Sequence, residues 1–281
     1  MIMVSSAHPC FCPVWGRRPL QMLKRPSLFS HVLDRLGSEI VGGAYSGTGL
    51  LPREQDLCAA MGASRTVVRE VIRVLSRKGM LRAQQKIGVR VLPQSSWNLM
   101  DINVLDWLWR AGLHEPYIRD FLEFRLAFEP MASYQAALRA TPEAKADILS
   151  RYQDLLVVNA ALEAGSDRTP AIETDLGFHT AIYQASGNHL AGYLGVLVTH
   201  MMRIQVDLTT DEPGEFARGL HLHGHVAEAI RDCRADDAFD YSSRLVRIPY
   251  ENYMRRQFPG QARSFYPVLS RASQKVGLAA Q

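Results

Sequence analysis

Asp175 and His179 are the residues whose types and spacing most directly suggest chemistry in this sequence of 281 residues. They are four positions apart, and side chains at that spacing lie on one face of an α-helix. A carboxylate and an imidazole held together can bind one divalent cation, such as zinc or nickel. The alternative is that His179 is a hydrogen-bonded residue in a helical core. The pair therefore predicts either a metal site or a buried polar contact.

Arg125 is a second candidate, because it lies in a stretch rich in large apolar residues. These are Phe121, Leu122, Phe124, Phe128 and Met131. The pattern predicts a helix face that points into a core, where a guanidinium is costly unless an anion meets it. Glu129, one turn further on, can supply that anion, and a bound carboxylate ligand is the alternative.

Residues 51–91 predict two short helices followed by a strand, a turn and a strand. Pro52 and the acidic residues after it suit the start of the first helix. Gly62 supplies a tight turn, and Ser64 is placed to cap the second helix. The residues expected to face inward are Leu57, Ala60 and Met61 on the first helix, and Val67, Val68, Val71, Ile72 and Leu75 on the second.

The opposite side of that second helix is basic. It carries Arg65, Thr66, Arg69 and Arg73, while Lys86 and Gly88 fall in the turn between the two strands. This is the order of a winged helix-turn-helix, which presents its second helix to the major groove of duplex DNA. The alternative is an ordinary solvated helix face.

The charge distribution favours DNA binding. Residues 24–92 contain 12 Lys or Arg and 5 Asp or Glu, a net charge of +7, whereas residues 93–281 contain 18 and 23, a net charge of −5. A basic region joined to an acidic one is expected when one domain meets phosphates and the other does not.

The remaining pattern predicts a mainly α protein with two domains. Residues 1–26 are expected to be a disordered tail, 27–93 a winged helix-turn-helix domain, 94–257 an all-α bundle of six or seven helices, and 258–281 a flexible tail. The first helix should run from Ser27 to Val41, and Pro249 should kink or end the last helix. No run of 18 apolar residues is present, so no membrane span is predicted.

Two sets of motifs resemble a known family. Pro52, Glu54, Ser64-Arg65-Thr66, Arg69-Glu70 and Gly88 resemble the DNA-binding domain of GntR-family bacterial transcription regulators. The helical part resembles the FCD-type effector domain of the FadR subfamily, through Arg125 to Pro130, Asp175 to His179, and His223 followed by Ala229-Ile230. The stretch from Ser96 to Trp107 is most similar to repressors of galactonate operons, the DgoR-like group.

The resemblance implies roles for particular residues in DNA binding. The implied DNA-contacting residues are Arg53, Ser64, Arg65, Thr66, Arg69, Lys86 and Gly88. The family usually has a second arginine just after the Glu54 position, where this chain has Gln55, so one contact is expected to be weakened or replaced.

The resemblance also implies an effector site. It assigns Asp175, His179 and His223 to a divalent metal ion, and its effector-binding residues are these three with Arg125 and Glu129. The family usually adds a His on the last helix, but this chain has none after His225. Without that His, the metal could be held by three protein ligands together with water or effector oxygens. Alternatively, the effector could bind without a metal. His221 and His225 are alternative ligands, four positions apart.

The resemblance implies a repressor of sugar-acid catabolism that binds a palindromic operator. It would be a cytoplasmic homodimer, associated with the nucleoid when bound to DNA. A small carboxylate such as galactonate would release it. The alternatives are a sensor of another carboxylate or of acyl chains, and a metal-dependent enzyme. The enzyme is disfavoured because no nucleophile with its base accompanies the candidate ligands.

Overall fold

The computed structural model describes residues 27–112, 117–209 and 218–258. The chain divides into two compact units between Ser96 and Trp97. Both are mainly helical, so the predicted fold class, a winged helix-turn-helix followed by a helical bundle, is confirmed. The predicted tails lie outside the described residues except for Phe258.

Among the described residues, the N-terminal unit contains three α-helices, a two-stranded sheet and a short 3-10 helix (Gln94–Ser96). The α-helices and strands are α1 (Leu28–Val41), α2 (Glu54–Met61), α3 (Arg65–Arg77), β1 (Leu81–Gln84) and β2 (Gly88–Val91). Ser27 and Ser64 cap α1 and α3, each with its hydroxyl accepting a hydrogen bond from a backbone N–H of the first turn. Gly62 ends α2 in the left-handed conformation (φ 60°), which glycine adopts without strain. The predicted helix starts and turn therefore come from these local signals.

The core of this unit follows the predicted apolar periodicity with one exception. Val68, Val71 and Leu75 of α3 are buried, while Val67 and Ile72 are half-buried, and α3 packs against α1, α2 and β1. Ala60 was predicted to face inward and is exposed. Alanine favours helix through its backbone alone and needs no burial, so the apolar stripe of α2 reduces to Leu57 and Met61.

The sheet is an antiparallel hairpin that pairs Leu81 with Val91 and Gln84 with Gly88. The connection between α1 and α2 adds two bonds to it. The N–H of Leu51 donates to the Val89 carbonyl at 2.9 Å, and that of Val91 donates to the Gly49 carbonyl at 2.9 Å. This hairpin of β1 and β2, the wing, is thereby joined to the residues just before α2.

The C-terminal unit contains seven helices in the described ranges. They are α4 (Ile102–Arg110), α5 (Tyr117–Arg139), α6 (Pro142–Glu163), α7 (Thr169–Ala185), α8 (His189–Thr209), α9 (Leu220–Arg231) and α10 (Ala235–Gln257). All seven helices contribute buried residues to one apolar core, α4 through Leu105 alone. Pro249 does not end α10, which continues to Gln257. The buried Tyr250, Tyr253 and Met254 pack beyond it, and this packing offsets the roughly 3 kcal/mol that a proline costs inside a helix.

Two glycines allow helices to approach closely beside bulky side chains. A Cβ atom at Gly195 of α8 would lie 2.5 Å from Tyr183 Cδ2 of α7, and one at Gly224 of α9 would lie 2.6 Å from the Tyr152 hydroxyl of α6. Both contacts are too short for any side chain. The positions of Tyr183 and Tyr152 therefore depend on glycine in the neighbouring helix.

The predicted inward face around Arg125 is only partly correct. Arg125, Phe121 and Leu122 are buried, but Phe124 and Met131 are 43% and 47% exposed. These two lie seven residues apart, and a further seven residues bring Leu138, which is 59% exposed. A spacing of seven keeps them on one side of α5, the side away from the core.

Candidate functional site

The N-terminal end of α3 presents the residues predicted to meet DNA. Arg65 and Thr66 are exposed in its first turn, and Arg53 is exposed where α2 begins. The Ser64 hydroxyl accepts from the Val67 N–H at 3.4 Å, so its established contact is with its own helix. A surface of this kind can donate hydrogen bonds to phosphates and base edges.

Arg69 already has a partner within the protein. Its Nε donates to both carboxylate oxygens of Glu54, at 3.0 and 2.9 Å, across the interface between α2 and α3. The two side chains are 61% and 39% exposed, so water and DNA phosphates can compete for the guanidinium.

The wing tip is an exposed three-residue turn between β1 and β2. Lys86 has φ 63° and Gly88 has φ 123°, both in the region that side chains disfavour. Glycine satisfies this requirement at position 88, and the exposed Lys86 places a cation on the same turn. The predicted DNA-contacting residues thus lie on α2, α3 and the wing of a single unit.

In the C-terminal unit the structure brings Asp175, His179 and His223 together. One ligand atom from each lies within 4.8 Å of the other two. Asp175 and His179 are one turn apart on α7, and His223 comes from α9. Both imidazoles are buried, at 5% and 6% exposure. The three donors therefore converge from two helices inside the bundle.

His223 faces Asp175 in an arrangement that calls for a positive charge. Its Nδ1 donates to the Gly219 carbonyl at 2.9 Å, which leaves Nε2 facing Asp175 Oδ1 at 2.9 Å. That approach is not aligned as a hydrogen bond, and Nε2 is a buried nitrogen without a hydrogen-bond partner. A lone pair and a carboxylate at this distance repel each other unless a proton or a metal ion lies beside them.

His179 connects this cluster to Glu129. Its Nδ1 lies 2.7 Å from Glu129 Oε2, and its Nε2 lies 3.9 Å from Asp175 Oδ1. The contact with Glu129 is close but not aligned as a hydrogen bond. The ring of His179 therefore lies between two carboxylates, with one nitrogen toward each.

Arg125 is held by residues of two helices. Its Nε donates to Glu129 Oε1 on α5, and its Nη1 donates to Gln205 Oε1 on α8 at 2.5 Å. The sequence left two alternatives for the anion beside Arg125, which were Glu129 and a bound carboxylate ligand. The structure shows the i, i+4 pair with Glu129. Among the described residues these two bonds use Nε and Nη1, and no hydrogen bond uses Nη2.

Both carboxyls of the site stay ionised despite burial. Burial by itself raises the pKa of Glu129, but Arg125 and His179 outweigh it and bring the pKa to about 2. Burial also opposes ionisation of Asp175, whose pKa His223 and His179 hold below the usual range. Two ionised carboxylates and one guanidinium leave this buried site short of one positive charge when both imidazoles are neutral.

Sequence reasoning missed two residues of the site. Gln205 contacts Arg125 from 80 positions away, and no local pattern indicates it. Tyr183 lies four residues after His179 on the same face of α7, a spacing that could have revealed it. Burial, with Glu129 nearby, raises the pKa of the Tyr183 hydroxyl well above its usual value.

Other histidines lie outside the cluster. His221 and His225, the alternative ligands, are on the exposed side of α9, where their rings contact each other at 5.9 Å between centroids. His200, which had no motif, lies 2.8 Å from Asp106 and joins α8 to α4. The structure therefore favours His223 as the third member.

The donor set suits a divalent cation. One carboxylate and two imidazoles are the ligands that zinc and nickel commonly take, and the Nδ1 atoms of both rings face oxygen atoms, as is usual for metal-binding histidines. The last helix does not add a fourth ligand at the expected place, where Arg244, Arg247 and Ile248 stand. The residues present therefore fit a cation with open coordination positions.

Comparison with known proteins identifies the family. Residues 28–91 match the model of bacterial regulatory proteins of the gntR family, and residues 120–247 match the FCD domain. The regulator YieP of Escherichia coli K12 is 33% identical over 231 residues, which cover 82% of this chain and 97% of YieP. This chain belongs to the GntR family. The protein is thus a GntR-type DNA-binding transcription regulator with an FCD domain, in a family of regulators rather than enzymes.

Two further similarities agree with this. The galactonate operon transcriptional repressor of E. coli K12 is 29% identical to this GntR-family protein over 208 residues, covering 74% of this chain and 88% of the repressor. The Listeria monocytogenes regulator Lar shares the fold, with a TM-score of 0.50 and 14% identity over 79% of this chain and 97% of Lar. Among the described helices, none is long and apolar enough to span a bilayer.

Proposed function

We propose that this GntR-family regulator represses the catabolism of a sugar acid, an aldonate such as galactonate, and leaves a palindromic operator in the cytoplasm when that acid binds. The carrying observation is a buried guanidinium beside a three-ligand cluster, bridged by Glu129. Arg125 offers Nη2 to the carboxylate of the acid. A divalent cation at Asp175, His179 and His223 would offer open positions to carboxylate or hydroxyl oxygens.

Release of DNA requires that the acid prefer one arrangement of the protein over another. The effector residues come from α5, α7 and α9, so a ligand that contacts all of them changes how these helices pack. We infer that the arrangement with bound acid fits the operator less well.

An acyl-chain sensor is the less favoured function. The apolar cleft among α4, α5 and α8 has a cavity volume of about 10 Å³. This is below the roughly 300–1,000 Å³ typical of pockets for small ligands. The charged cluster also suits a polar acid better than a long alkyl chain.

Thermal unfolding of the purified protein tests the proposal. Aldonates, uronates, dicarboxylates and acyl chains are each added with and without a chelator, and the same acids are added to protein bound to its operator. A rise in Tm confined to one sugar acid, abolished by the chelator and matched by loss of DNA binding, is the expected result. A rise with acyl chains only, or one independent of metal, overturns it. Asp175→Asn should abolish the response, and Glu173→Gln, an exposed change on the same helix, should retain it.

We further propose that the regulator is a homodimer formed through an apolar face of α5 and α8. Arg125 near the start of α5 contacts Gln205 near the end of α8, and Arg139 at the end of α5 lies beside Gly187, just before α8. The two helices are therefore antiparallel neighbours. Their exposed apolar residues are Phe124, Met131, Leu138, Leu190, Tyr193 and Val196.

The size of this face supports a second copy as its occupant. A half-exposed side chain of this size bares on the order of 100 Å², so six bare roughly 600 Å². An interface of standard size buries about 800 Å² per partner, and a two-fold axis would place the same face on both copies. A palindromic operator calls for the same symmetry.

Molar mass in solution tests the interface. Tyr193→Glu combined with Met131→Glu should reduce the mass from twice the 31.5 kDa of the chain to that single value. Val157→Glu is the matched control, since Val157 is 70% exposed on α6. A double variant that keeps the dimeric mass, or a monomeric wild type, rejects this face.

A further inference from the structure

We propose that Glu129 is a positioning residue that joins the two halves of the effector site and does not itself contact the effector. It would fix the ring of His179 for the metal half and the guanidinium of Arg125 for the carboxylate half. The inference deepens the proposed function and rests on it for the metal, but the contacts within the protein carry it independently.

Glu129 is enclosed by groups of the protein itself. It is 2% exposed, and its two oxygens face different partners. Oε1 accepts from Arg125 Nε, and Oε2 lies 2.7 Å from His179 Nδ1. An effector carboxylate would also be repelled by this ionised carboxylate, so the anion must bind on another side of Arg125.

The contact with His179 determines which ring nitrogen carries the proton. Two acceptor atoms 2.7 Å apart repel each other, so the contact favours a hydrogen on Nδ1 over a lone pair there, although its N–H is not aligned with Oε2 as a hydrogen bond. A neutral imidazole has only one N–H, and Nε2 then keeps its lone pair on the side of Asp175. Glu129 therefore sets both the tautomer and the orientation that a ligand histidine needs.

The same residue limits the motion of Arg125. Glu129 holds Nε along α5, while Gln205 holds Nη1 from α8, so the guanidinium plane is fixed at two points. The remaining nitrogen, Nη2, is the one we assign to the effector. The Glu129 carboxylate thus fixes Arg125 on α5 and His179 on α7. The ring of His179 in turn faces the other two candidate metal ligands, Asp175 on α7 and His223 on α9.

Tyr183 is close enough to be considered for the same role. Its hydroxyl contacts Met202 Sδ at 3.7 Å, and its ring lies against Phe128, with 5.3 Å between centroids. Its hydroxyl also interacts with Glu129, and its ring lies 6.4 Å from that of His179 between centroids, but it makes no hydrogen bond to Arg125 among the described residues. Glu129 is therefore the residue that contacts both Arg125 and His179.

The test is Glu129→Gln in the full-length protein, with Glu173→Gln as the matched control. Titration with Ni²⁺ or Zn²⁺ alone should show an affinity lower by about 10–100-fold for Glu129→Gln and unchanged for the control. Nitrogen-15 NMR of the metal-free protein should show His179 protonated at Nδ1 in the wild type and a mixture of tautomers in the variant. Glu129→Asp should restore part of the wild-type signal.

Several outcomes overturn the proposal. These are an affinity within twofold of the wild type, or a His179 tautomer that is the same in both proteins. If the wild type binds neither metal, the metal part of the proposed function fails, and the tautomer comparison still decides the role of Glu129. If Glu129→Gln does not fold, Arg125→Met with Glu129→Gln removes both charges and allows the same spectrum.

Discussion

The two units each contain an arginine paired with a glutamate, and the pairs differ in burial. Arg69 and Glu54 join α2 to α3 with side chains 61% and 39% exposed, whereas Arg125 and Glu129 on α5 are 5% and 2% exposed. Water can replace either partner in the first pair, so Arg69 can exchange Glu54 for a phosphate at little cost. In the second pair, each charge needs the other. Exposure thus suits an exchangeable DNA contact, and burial suits a fixed binding site.

The largest expected effect follows from breaking the buried pair. Arg125→Met should lower the free energy of unfolding by about 3–5 kcal/mol, because Glu129 is left charged and buried. Urea denaturation measures this. Arg125→Met with Glu129→Gln should recover much of the loss. Arg151→Met, which breaks the exposed i, i+4 pair with Asp147, should cost less than about 1 kcal/mol. Equal losses for the two single variants would remove the distinction.

The second largest effect is expected from lowering the pH, which should destabilise the protein through the buried pair. The pKa of Glu129 falls from 4.5 to about 2 on folding, so its contribution to stability is full above pH 4.5 and is lost as the pH falls toward 2. Asp175, whose pKa is also lowered, acts in the same direction. The free energy of unfolding of the wild type, measured by urea denaturation at each pH, should therefore fall as the pH is lowered from 5 to about 2.5. The Arg125→Met, Glu129→Gln double variant should lose less stability over that range, and an identical pH dependence would contradict the assignment.

A smaller effect is expected at the exposed surface. Arg65→Ala should weaken operator binding by about 1–3 kcal/mol, roughly 5–150-fold, if Arg65 contacts a base. Fluorescence anisotropy on operator and scrambled DNA measures this, and a loss confined to the operator identifies base contact. Equal losses on both DNAs, with a shallower salt dependence, identify phosphate contact. Arg77→Ala, near the far end of α3, is the control and should bind as the wild type does.

The smallest effect should follow from breaking the exposed pair itself. Glu54→Gln should change the free energy of unfolding by less than about 1 kcal/mol. It should also tighten binding to scrambled DNA by less than about fivefold, because a carboxylate no longer competes for Arg69. Denaturation and anisotropy test both parts. A loss of stability as large as that of Arg125→Met would mean that exposure does not separate the pairs.

The sequence predicted those parts of the molecule that depend on neighbouring residues. Gly62 and Ser64 set the turn before α3 through their own backbone and side-chain preferences. Asp175 and His179 share a face because of their spacing alone. His223 could be placed beside them only through the family resemblance, since the contact between α7 and α9 has no local signal.

Other features depended on packing that a sequence does not display. Gln205 reaches Arg125 because α8 runs antiparallel to α5, and neither helix indicates this arrangement by itself. Phe124 and Met131 were expected inside because apolar periodicity marks any surface that avoids water, whether a core or an interface between copies. The prediction for Pro249 was wrong where it foresaw an end to the helix, because tertiary contacts outweighed a local preference.

Gly195 supports the proposed effector site from outside it. It packs against Tyr183, which lies close to Glu129, yet Gly195 is not among the residues assigned to the metal or the effector. A single methyl group there would displace the tyrosine ring and alter the space beside Arg125. Under the proposed function, one substitution at Gly195 would therefore change which inducer fits, while every residue proposed to bind the ligand stays the same.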